Sequence, residues 1–536
     1  FYALDADLPL FLAMTSGLQH ALAMLAGLIT PPIIFASALS LDGETSAYMI
    51  SASLIGCGIL SLVQMSRLKL FGGYYLGTGL ISVVGTSFAT LSTANAIFDS
   101  MYKDGTCQMI TAADGTSTRA PCPDAYGKVL GTSIVASFLE IFMSFVPPRI
   151  LQRIFPPIVT GTVILMIGAS LIGSSGIPDW GGGSNSCMSR PASGFFALCP
   201  DIAAPKPLPW GSPEFIGLGF LSFVSILLTE LFGSPFLKNI SIIIGLAVGC
   251  IVAGPAGYID GSSIKSAPAI TFLWVHTFKI SVYGPAVLPM LAVYISLAME
   301  AMGDITASAE VSKVAVEGEE FESRIQGGVL SDGIGGFLSA LFTVTPLSIF
   351  AQVRLIRLGS SPGINLDARI TVSSPLLVVQ IAMPADGAAP SSSSSASSAK
   401  SPVQISRSLR IPIVPNPVLG GVTTFLFASV VVSGIRVVGY AHFTRRDRFV
   451  LAGAISFGIG DLLQPTIFTH LFDAVHVNSG TQGLLDSITI VLSTPFLVSG
   501  IVAVVLNLIL PYEDPSEEED DVEVIDVEDQ KRGHHL

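Results

Sequence analysis

Charged residues are scarce in this chain of 536 residues. Asp, Glu, Lys and Arg make up only 12% of it, whereas they make up about 25% of an average soluble domain. Half of the residues are hydrophobic, and the mean hydropathy is +0.68. This composition excludes an intrinsically disordered chain and most soluble globular classes. No basic stripe is present to bind phosphate backbones, so we expect no nucleic-acid partner.

The formal net charge of −13 is concentrated at the carboxyl end. Eleven acidic residues lie between Glu513 and Asp529, and Lys531 and Arg532 offset two of them, so this tail carries −9 and residues 1–512 carry −4. A segment this charged does not fold alone. We interpret 511–536 as a solvated cytoplasmic tail, and the alternative is a segment that trafficking machinery recognises.

Apolar residues fall in blocks about as long as the 17–25 residues that a helix needs to cross a hydrocarbon core. Soluble cores do not repeat such blocks along a whole chain, so we predict a polytopic α-helical membrane protein. The chain begins at Phe1 without a methionine, and we expect an N-terminal segment to precede it. The clear blocks are 17–39, 47–66, 128–146, 157–176, 214–232, 238–259, 283–302, 326–344, 416–438, 449–468 and 487–510, and a weaker one, 76–96, is rich in Gly, Ser and Thr.

Basic residues between the blocks predict the orientation, because they favour the cytoplasmic side. With these residues inside and with 76–96 crossing once, the loops 97–127, 177–212 and 260–282 are extracellular, and the acidic tail is cytoplasmic. The basic residues that follow blocks are Arg67, Lys69, Arg149, Arg153, Lys238, Arg445, Arg446 and Arg448.

Four of the six cysteines lie in loops placed outside, where the environment is oxidising. One or two disulfides are therefore expected, and pairs within a single loop are favoured, Cys107 with Cys122 and Cys187 with Cys199. Four unpaired loop thiols are the alternative.

Carboxylates inside apolar spans are costly unless they face a cavity or a partner. Glu300 and Asp304 are four residues apart, so they share one face of a helix, and Asp332 on the next span is placed to join them. Because two ionised carboxylates repel, one of them holds a proton or a basic partner intervenes. This layout is typical of a proton-coupled carrier, and a buried structural pair that never titrates is the alternative. Other polar residues in or beside apolar blocks are Gln19, His20, Glu140, Glu230, Gln352 and Asp461.

Two irregular segments occupy corresponding places in the two halves of the chain, 76–96 and 343–352. Backbone of this kind is tolerated at membrane depth only where protein covers it or where it lines a cavity. Broken helices of secondary carriers supply such binding elements. The pattern predicts an inverted repeat with the site between its halves.

Long strings in the sequence resemble the nucleobase–ascorbate transporters, the nucleobase:cation symporter 2 type. Within that family the chain is most similar to the uric acid–xanthine permeases of filamentous fungi. The similarity covers nearly the whole chain except about 353–415. The strings are QHALAMLAGLITPP (19–32), VGTSFATLSTANAIFDSMY (84–102), CPDAYG (122–127), PPRILQRIFPPIVTG (147–161), LPWGSPEFIGLGF (208–220), AMEAMGDITAS (298–308), SRIQGGVLSDGIGGF (323–337), TPLSIFAQ (345–352), VLGGVTTFLFASVVVSGIR (418–436) and TRRDRF (444–449).

The resemblance implies fourteen spans in a seven-plus-seven inverted repeat and a homodimer in the plasma membrane. A core domain, 1–146 and 283–415, would hold the substrate and slide as an elevator against a gate domain, 147–282 and 416–510. Movement would be coupled to proton uptake, with no other cofactor, metal or enzymatic activity.

The resemblance also implies roles for single residues. Glu300 and Gln352 would grip a purine edge, while the backbone at Phe88 and Ala351 would complete the set and the Phe88 ring would pack on the purine. A carboxylate accepts two N–H donors, and an amide offers one donor and one acceptor group, which suits fixed purine edges. Further residues and implied roles are Asp304 and Asp332 in proton coupling, Gln19 and His20 in supporting the core geometry, and Thr494, Phe496 and Arg436 in filtering substrates at the gate.

The chain departs from the family pattern after Gln352, where Asn-Asn-Gly is expected and Val353-Arg354 follows. The apolar stretch 376–383 is far too short to span a membrane. Either the chain has diverged into a transport-defective or receptor-like relic, or the translated gene contains a retained intron or a frame shift. We favour the second, because every valine codon begins with GT, as an unspliced junction does. An anion transporter of the same fold is a further alternative, although site carboxylates disfavour anions.

We predict that the transcript, sequenced across the codons for Gln352 to Pro415, differs from this translation. It should encode Asn-Asn-Gly, the helical half of a broken helix, and a second apolar span of about 20 residues before rejoining near Asn416. The half-helix would supply N–H groups and a positive dipole end to the site. A transcript identical to this translation, whose protein still takes up purines, would contradict the prediction.

Overall fold

The computed structural model describes most of the chain between Met24 and Pro511. Gln19, His20, Ala351, Gln352, nearly all of the aberrant segment 353–415 and the acidic tail lie outside the described residues. The described ranges are 24–25, 27–80, 82–111, 117–183, 186–190, 192, 197–201, 204–234, 237–238, 240–259, 272–312, 314–316, 318–349, 414–441, 443–472 and 478–511.

The described residues are mostly helical, with short two-residue to five-residue strands. The helices are α1 Gly27–Ala38, α2 Gly43–Met65, α3 Phe88–Lys103, α4 Pro123–Met143, α5 Pro148–Ile154, α6 Pro157–Leu171, α7 Ile177–Trp180, α8 Pro213–Phe232, α9 Ser241–Ala253, α10 Gly284–Val311, α11 Glu319–Leu341, α12 Asn416–Val438, α13 Arg445–Leu463, α14 Ser479–Leu492 and α15 Pro495–Ile509. The strands are β1 Leu68–Lys69, β2 Tyr75–Leu76, β3 Val84–Thr86, β4 Met109–Thr111, β5 Ser117–Arg119, β6 Cys199–Asp201, β7 Ala204–Leu208 and β8 Leu347–Ile349.

Six helical segments in the described part are long and apolar enough to cross a membrane: α2, α4, the unit Pro157–Trp180, α8, α10 and α12. Proline in the first turn starts α4, α6, α8, α12 and α15, where its missing N–H would have no helical partner anyway. The predicted polytopic α-helical fold is confirmed.

The last apolar block differs from a single straight span. It forms α14 and α15, which are bent by 88° at a short break. Pro495 explains the break, because a residue before proline is disfavoured in the helical region, and Thr494 is extended there.

The two irregular segments meet as a small antiparallel sheet. β3 pairs with β8, with Val84 opposite Ile349 and Thr86 opposite Leu347. All residues of both strands are buried. Strands from the two halves of the chain that run in opposite directions fit the inverted repeat, and the pairing satisfies backbone groups that have no water at this depth.

The helices pack in two groups. In one, α11 packs on α4, α2 and β8, and α10 packs on α4 and α11. In the other, α12 packs on α6 and α8, α8 packs on α9, and α15 packs on α6 and α13. The groups meet where α3 and α10 contact α6, α14 and α15. The division into core and gate domains at the stated residues stays a prediction.

A glycine pair sets the spacing inside the second group. A Cβ on Gly434 of α12 would lie 2.3 Å from the Leu165 backbone N, and one on Gly161 of α6 would lie 2.6 Å from the Val438 backbone N. α6 and α12 therefore touch backbone to backbone, which small residues permit in membrane helix pairs.

Charged groups gather at one end of the molecule. Arg67 Nη1 and Arg324 Nη2 each lie 2.9 Å from Glu320 Oε1, and Arg149 Nε lies 2.9 Å from Glu322 Oε1. In the other group, Arg446 Nη2 donates to Asn507 Oδ1 at 2.7 Å. Residues placed inside by the basic-residue argument thus share an end in each group.

The cysteine-bearing loops lie at the opposite ends of these helices. Disulfides join Cys107 to Cys122 and Cys187 to Cys199, the pairs favoured within each loop, while Cys57 is a buried free thiol. The Cys122 N–H also donates to the Leu39 carbonyl, which ties the first loop to the end of α1.

We predict that digestion of the purified, unreduced protein yields two linked peptide pairs, Cys107 with Cys122 and Cys187 with Cys199, by mass spectrometry. Cys57 should be alkylated only after denaturation, because its thiol is buried. Peptides that link the two loops to each other, or loop thiols that react with an impermeant maleimide on intact cells, would contradict the fold at this end.

Candidate functional site

The site is built around the β3–β8 sheet and the start of α3. The Ser87 N–H donates to the Pro346 carbonyl at 2.9 Å, and the Ser87 hydroxyl accepts from the Thr90 N–H at 3.1 Å, as an N-cap. These bonds begin α3 directly beside β8. Phe88 is the first residue of α3, and its side chain is only 8% exposed.

Asp332 on α11 holds β8 in place. Its Oδ2 accepts from the Ser348 hydroxyl at 2.9 Å, and its Oδ1 accepts from the Ile349 N–H at 2.8 Å. The side chain is 1% exposed. Hydrogen bonds to both oxygens anchor β8 to α11, and they favour the ionised form of the carboxyl group, which burial opposes.

Glu300 and Asp304 on α10 face the same region. Glu300 is half-buried and Asp304 is 5% exposed. Asp304 and Asp332, both acidic, interact with Glu300. The structure therefore brings together the three carboxylates that the sequence predicts to meet.

A fourth carboxyl group joins this cluster. Glu140 on α4 is 0% exposed, and it interacts with Asp332 and with Glu300. The sequence marks Glu140 as a polar residue in an apolar block but does not place it at the site, since Glu230 is equally isolated and lies away from the site.

Tyr294, one and a half turns before Glu300 on α10, links that helix to α4. Its hydroxyl and the Ser133 hydroxyl are hydrogen-bonded at 2.6 Å. A Cβ on Gly336 of α11 would lie 2.7 Å from the Tyr294 hydroxyl oxygen. Three helices therefore close around this tyrosine, which no sequence motif had singled out.

Aromatic and hydroxyl groups cross from α3 to the second helix group. The Phe88 and Phe427 rings meet edge to face, with centroids 5.6 Å apart. Ser92 and Ser170 hydroxyls lie 3.3 Å apart. Phe427 on α12 is 0% exposed, and it was also missed, since nothing in an apolar helix marks one phenylalanine from another.

The three predicted filter residues lie in different places. Thr494 and Phe496 stand at the break between α14 and α15, and the Thr494 hydroxyl donates to the Ile490 carbonyl at 2.7 Å. Arg436 lies nine residues after Phe427, about 14 Å along α12, and its Nε donates to the Tyr440 hydroxyl. The structure therefore does not bring Arg436 to the Phe88 ring.

The predicted substrate residues Ala351 and Gln352, and the supporting residues Gln19 and His20, lie outside the described residues. β8 ends at Ile349, two residues before Ala351 in the sequence. Within the described ranges, no group of three or more His, Cys, Asp or Glu side chains is arranged to hold a metal ion.

A buried group of carboxyl groups beside an aromatic ring can bind a neutral, planar molecule that offers N–H donors. Within the described part of the chain the carboxyl groups face one another rather than cations, and binding of a proton would reduce their mutual repulsion. The geometry suits a binding site that exchanges protons.

Comparison with known proteins gives the family. The model Xan_ur_permease, described as a permease family, matches residues 12–354, and the match ends where the sequence departs from the expected pattern. A uric acid-xanthine permease of Emericella nidulans is 46% identical over 514 residues, covering 96% of this chain and 83% of that protein. A purine permease of the same organism is 46% identical over 533 residues, covering 98% and 87%.

Solved structures support the fold alone. The murine Solute Carrier 26 family member A9 anion transporter, in its inward-facing state, has a TM-score of 0.51 and 12% identity. The likeness covers 88% of this chain and 69% of that one.

Two adjacent glycines test the packing of the site. Gly336→Ala should destabilise the protein by about 1–3 kcal/mol, because the new methyl group would overlap Tyr294. Gly335→Ala should leave stability unchanged or raise it by up to about 1 kcal/mol, because alanine favours a helix interior over glycine and the nearest atom to its Cβ is 3.8 Å away. Thermal unfolding in detergent measures both, and equal midpoints for the two variants would refute this packing.

Proposed function

The chain belongs to the nucleobase–ascorbate transporter family of permeases, and on that premise we propose that it takes up uric acid and xanthine across the plasma membrane, coupled to protons. The relatives are named as permeases, so the protein is a transporter and not an enzyme. The observation that carries the proposal is the buried sheet between the two halves of the chain: Asp332 interacts with Glu300 and anchors β8, and β3, which pairs with β8, leads into Phe88.

The first part of the proposal is recognition of the edge of the substrate by hydrogen bonds. Xanthine is planar and presents N–H donors in a fixed plane, and a carboxylate accepts two such donors side by side. Glu300 is the half-buried member of the cluster, and so the one open to a ligand. A site built to accept these hydrogen bonds rejects analogues that lack the donors, because its buried acceptor would stay unpaired.

The second part of the proposal is recognition of the flat face of the substrate by an aromatic ring. The Phe88 ring stands at the amino end of α3, beside the strands, and meets Phe427 edge to face. Stacking on one ring would hold the flat face of a purine. Phe427, on the opposing helix group, would then limit how thick a ligand can be.

Proton coupling follows from the electrostatics of the cluster. Glu140, Glu300, Asp304 and Asp332 interact with one another inside a membrane-spanning bundle. If all four carboxyl groups were ionised, the free energy lost through desolvation and mutual repulsion would exceed the free energy gained from their hydrogen bonds. The cluster therefore binds protons. A change in its proton number is a direct way to link substrate uptake to a proton gradient.

An elevator movement suits the way in which the helices are joined. The site residues belong to helices bound together through β8, Asp332 and Tyr294. The opposing group is held by the close approach of α6 and α12. Each group is therefore held together by its own contacts, and sliding would occur where α3 and α10 face α6, α14 and α15.

The orientation rests on the charged end. Arg67, Arg149 and Arg446 share the end at which α15 finishes, and basic residues favour the cytoplasm. This supports a cytoplasmic acidic tail and extracellular disulfide loops. The homodimer and recognition of the tail by trafficking machinery are further parts of the proposal that rest on the family resemblance and the tail's charge.

An anion carrier is the second candidate, since a solved anion transporter shares the fold. The acidic site opposes it, because carboxylates repel an anionic ligand unless protonated.

We predict that Glu300→Ala abolishes uptake of radiolabelled xanthine in cells that lack their own purine carriers, with the protein expressed from its native transcript. The loss should exceed about 30-fold, because one side of a buried charged hydrogen-bonded pair is removed. Glu230→Ala is the matched control: it removes a glutamate from α8, where the carboxylate accepts from the Ser241 hydroxyl away from the site. Normal uptake by Glu300→Ala, at equal surface level, would refute the assignment.

A further inference from the structure

Glu140 lies where α4 and α11 touch. A Cβ on Gly333 of α11 would lie 2.9 Å from the Ile141 backbone N and 3.3 Å from the Glu140 carbonyl carbon. The two backbones are therefore in direct contact at this crossing. The absence of a side chain at Gly333 leaves the Glu140 carboxyl group beside Asp332, the next residue toward the amino end of α11.

Neither carboxyl oxygen of Glu140 receives a hydrogen bond from a donor in the described part of the chain. The group within hydrogen-bonding reach is the Asp332 carboxyl. Two ionised carboxylates have no hydrogen between them and cannot bond. An unpaired buried charge costs several kcal/mol, so the pair must share at least one proton.

The partners of Asp332 decide where that proton resides. Both Asp332 oxygens already accept hydrogen bonds, from the Ser348 hydroxyl and the Ile349 N–H, and these bonds favour its anion. Glu140 has no such donors among the residues that the structure describes. The proton therefore belongs on Glu140, whose O–H then donates to Asp332.

We propose that Glu140 is a further proton-binding residue of the transporter, which forms with Asp332 the unit that loads and releases the coupled proton without touching the substrate. This inference rests on the proposed function for its role in transport. In its resting form the pair holds one proton and one negative charge. To load a second proton, Glu140 passes its own proton along the hydrogen bond to Asp332, which breaks the O–H bond on Glu140 and forms one on Asp332, and the Glu140 carboxylate then takes a proton from external water, so that the pair is neutral. On release, Glu140 loses that proton to the cytoplasm and Asp332 returns its proton to Glu140, which restores one proton and one negative charge.

The groups that face Glu140 come from the helices packed against α4. Among the described residues they are Asp332 on α11 and Glu300 and Tyr294 on α10. The Tyr294 hydroxyl is hydrogen-bonded to Ser133 on α4 itself. On α3, Asp99 pairs with Arg119 and Lys103 lies in the last turn, both toward the disulfide end of that helix. The surroundings of Glu140 are thus acidic, and charge balance at the pair depends on protons.

Glu140→Gln tests the proposal. Glutamine keeps the size of the side chain and offers an N–H to Asp332, but it cannot exchange a proton. In proteoliposomes we expect this variant to bind xanthine and to exchange it across the membrane, while stimulation of uptake by an inward proton gradient falls at least about tenfold. Glu230→Gln, the matched change on α8, should keep the wild-type stimulation. A wild-type pH profile and gradient response in Glu140→Gln would overturn the proposal.

Glu140→Asp covers the case in which glutamine prevents folding. The shorter carboxylic acid still titrates, but it sits farther from Asp332, so gradient stimulation should persist with its pH profile displaced. An undisplaced profile would overturn the proposal. Glu300→Ala should instead lose xanthine binding, which separates the proton role from the substrate role.

An infrared difference spectrum is independent of transport. The purified wild-type protein should show the C=O band of a protonated carboxylic acid that is missing from Glu140→Gln. Absence of that difference would overturn the proposal even if transport were observed. A wild-type protein that shows the band but takes up no xanthine would sink the proposed function alone, while the protonated Glu140 would stand.

Discussion

Two hydrogen bonds to one buried aspartate hold the site together. Asp332 accepts from the Ser348 hydroxyl and the Ile349 N–H, and so fixes β8 against α11. Bonds to a charged group contribute roughly 1.5–3 kcal/mol each. β8 in turn pairs with β3, and β3 leads into α3 and Phe88. The position of the aromatic ring therefore depends on a carboxylate that belongs to the other half of the chain.

The same arrangement brings several carboxyl groups close together, where their charges would repel one another unless some of them bind protons. Asp332 lies beside Glu140 and Glu300. These three carboxyl groups cannot all be ionised without strong repulsion, so at least one of them holds a proton. The helix group opposite contributes an aromatic ring, Phe427, and close backbone contact between α6 and α12. The four carboxyl groups thus belong to one helix group, and the other group contributes an apolar surface beside it. Sliding of one group along the other is part of the proposed function.

The sequence predicted the features that depend on local spacing. Glu300 and Asp304 share a helix face because they are four residues apart, and the two irregular segments lie where the strands form. Glu140 could not be placed, because its neighbour is set by a crossing at Gly333 that no local pattern reveals. The bend at Thr494 was missed although Pro495 marks it, since apolar residues on both sides suggest one continuous span. The role of Arg436 in filtering substrates rests on the resemblance alone. The rise of about 1.5 Å per residue places it about 14 Å along α12 from Phe427.

The central claim is that purine movement and proton movement occur together through the carboxyl cluster. The most direct measurement is proton flux into proteoliposomes that contain the purified protein when xanthine is added outside, with no imposed gradient. The account predicts acidification of the lumen with xanthine uptake, both lost in Asp332→Asn and both retained in Glu230→Gln. Xanthine uptake by the wild-type protein without any accompanying proton flux would contradict it.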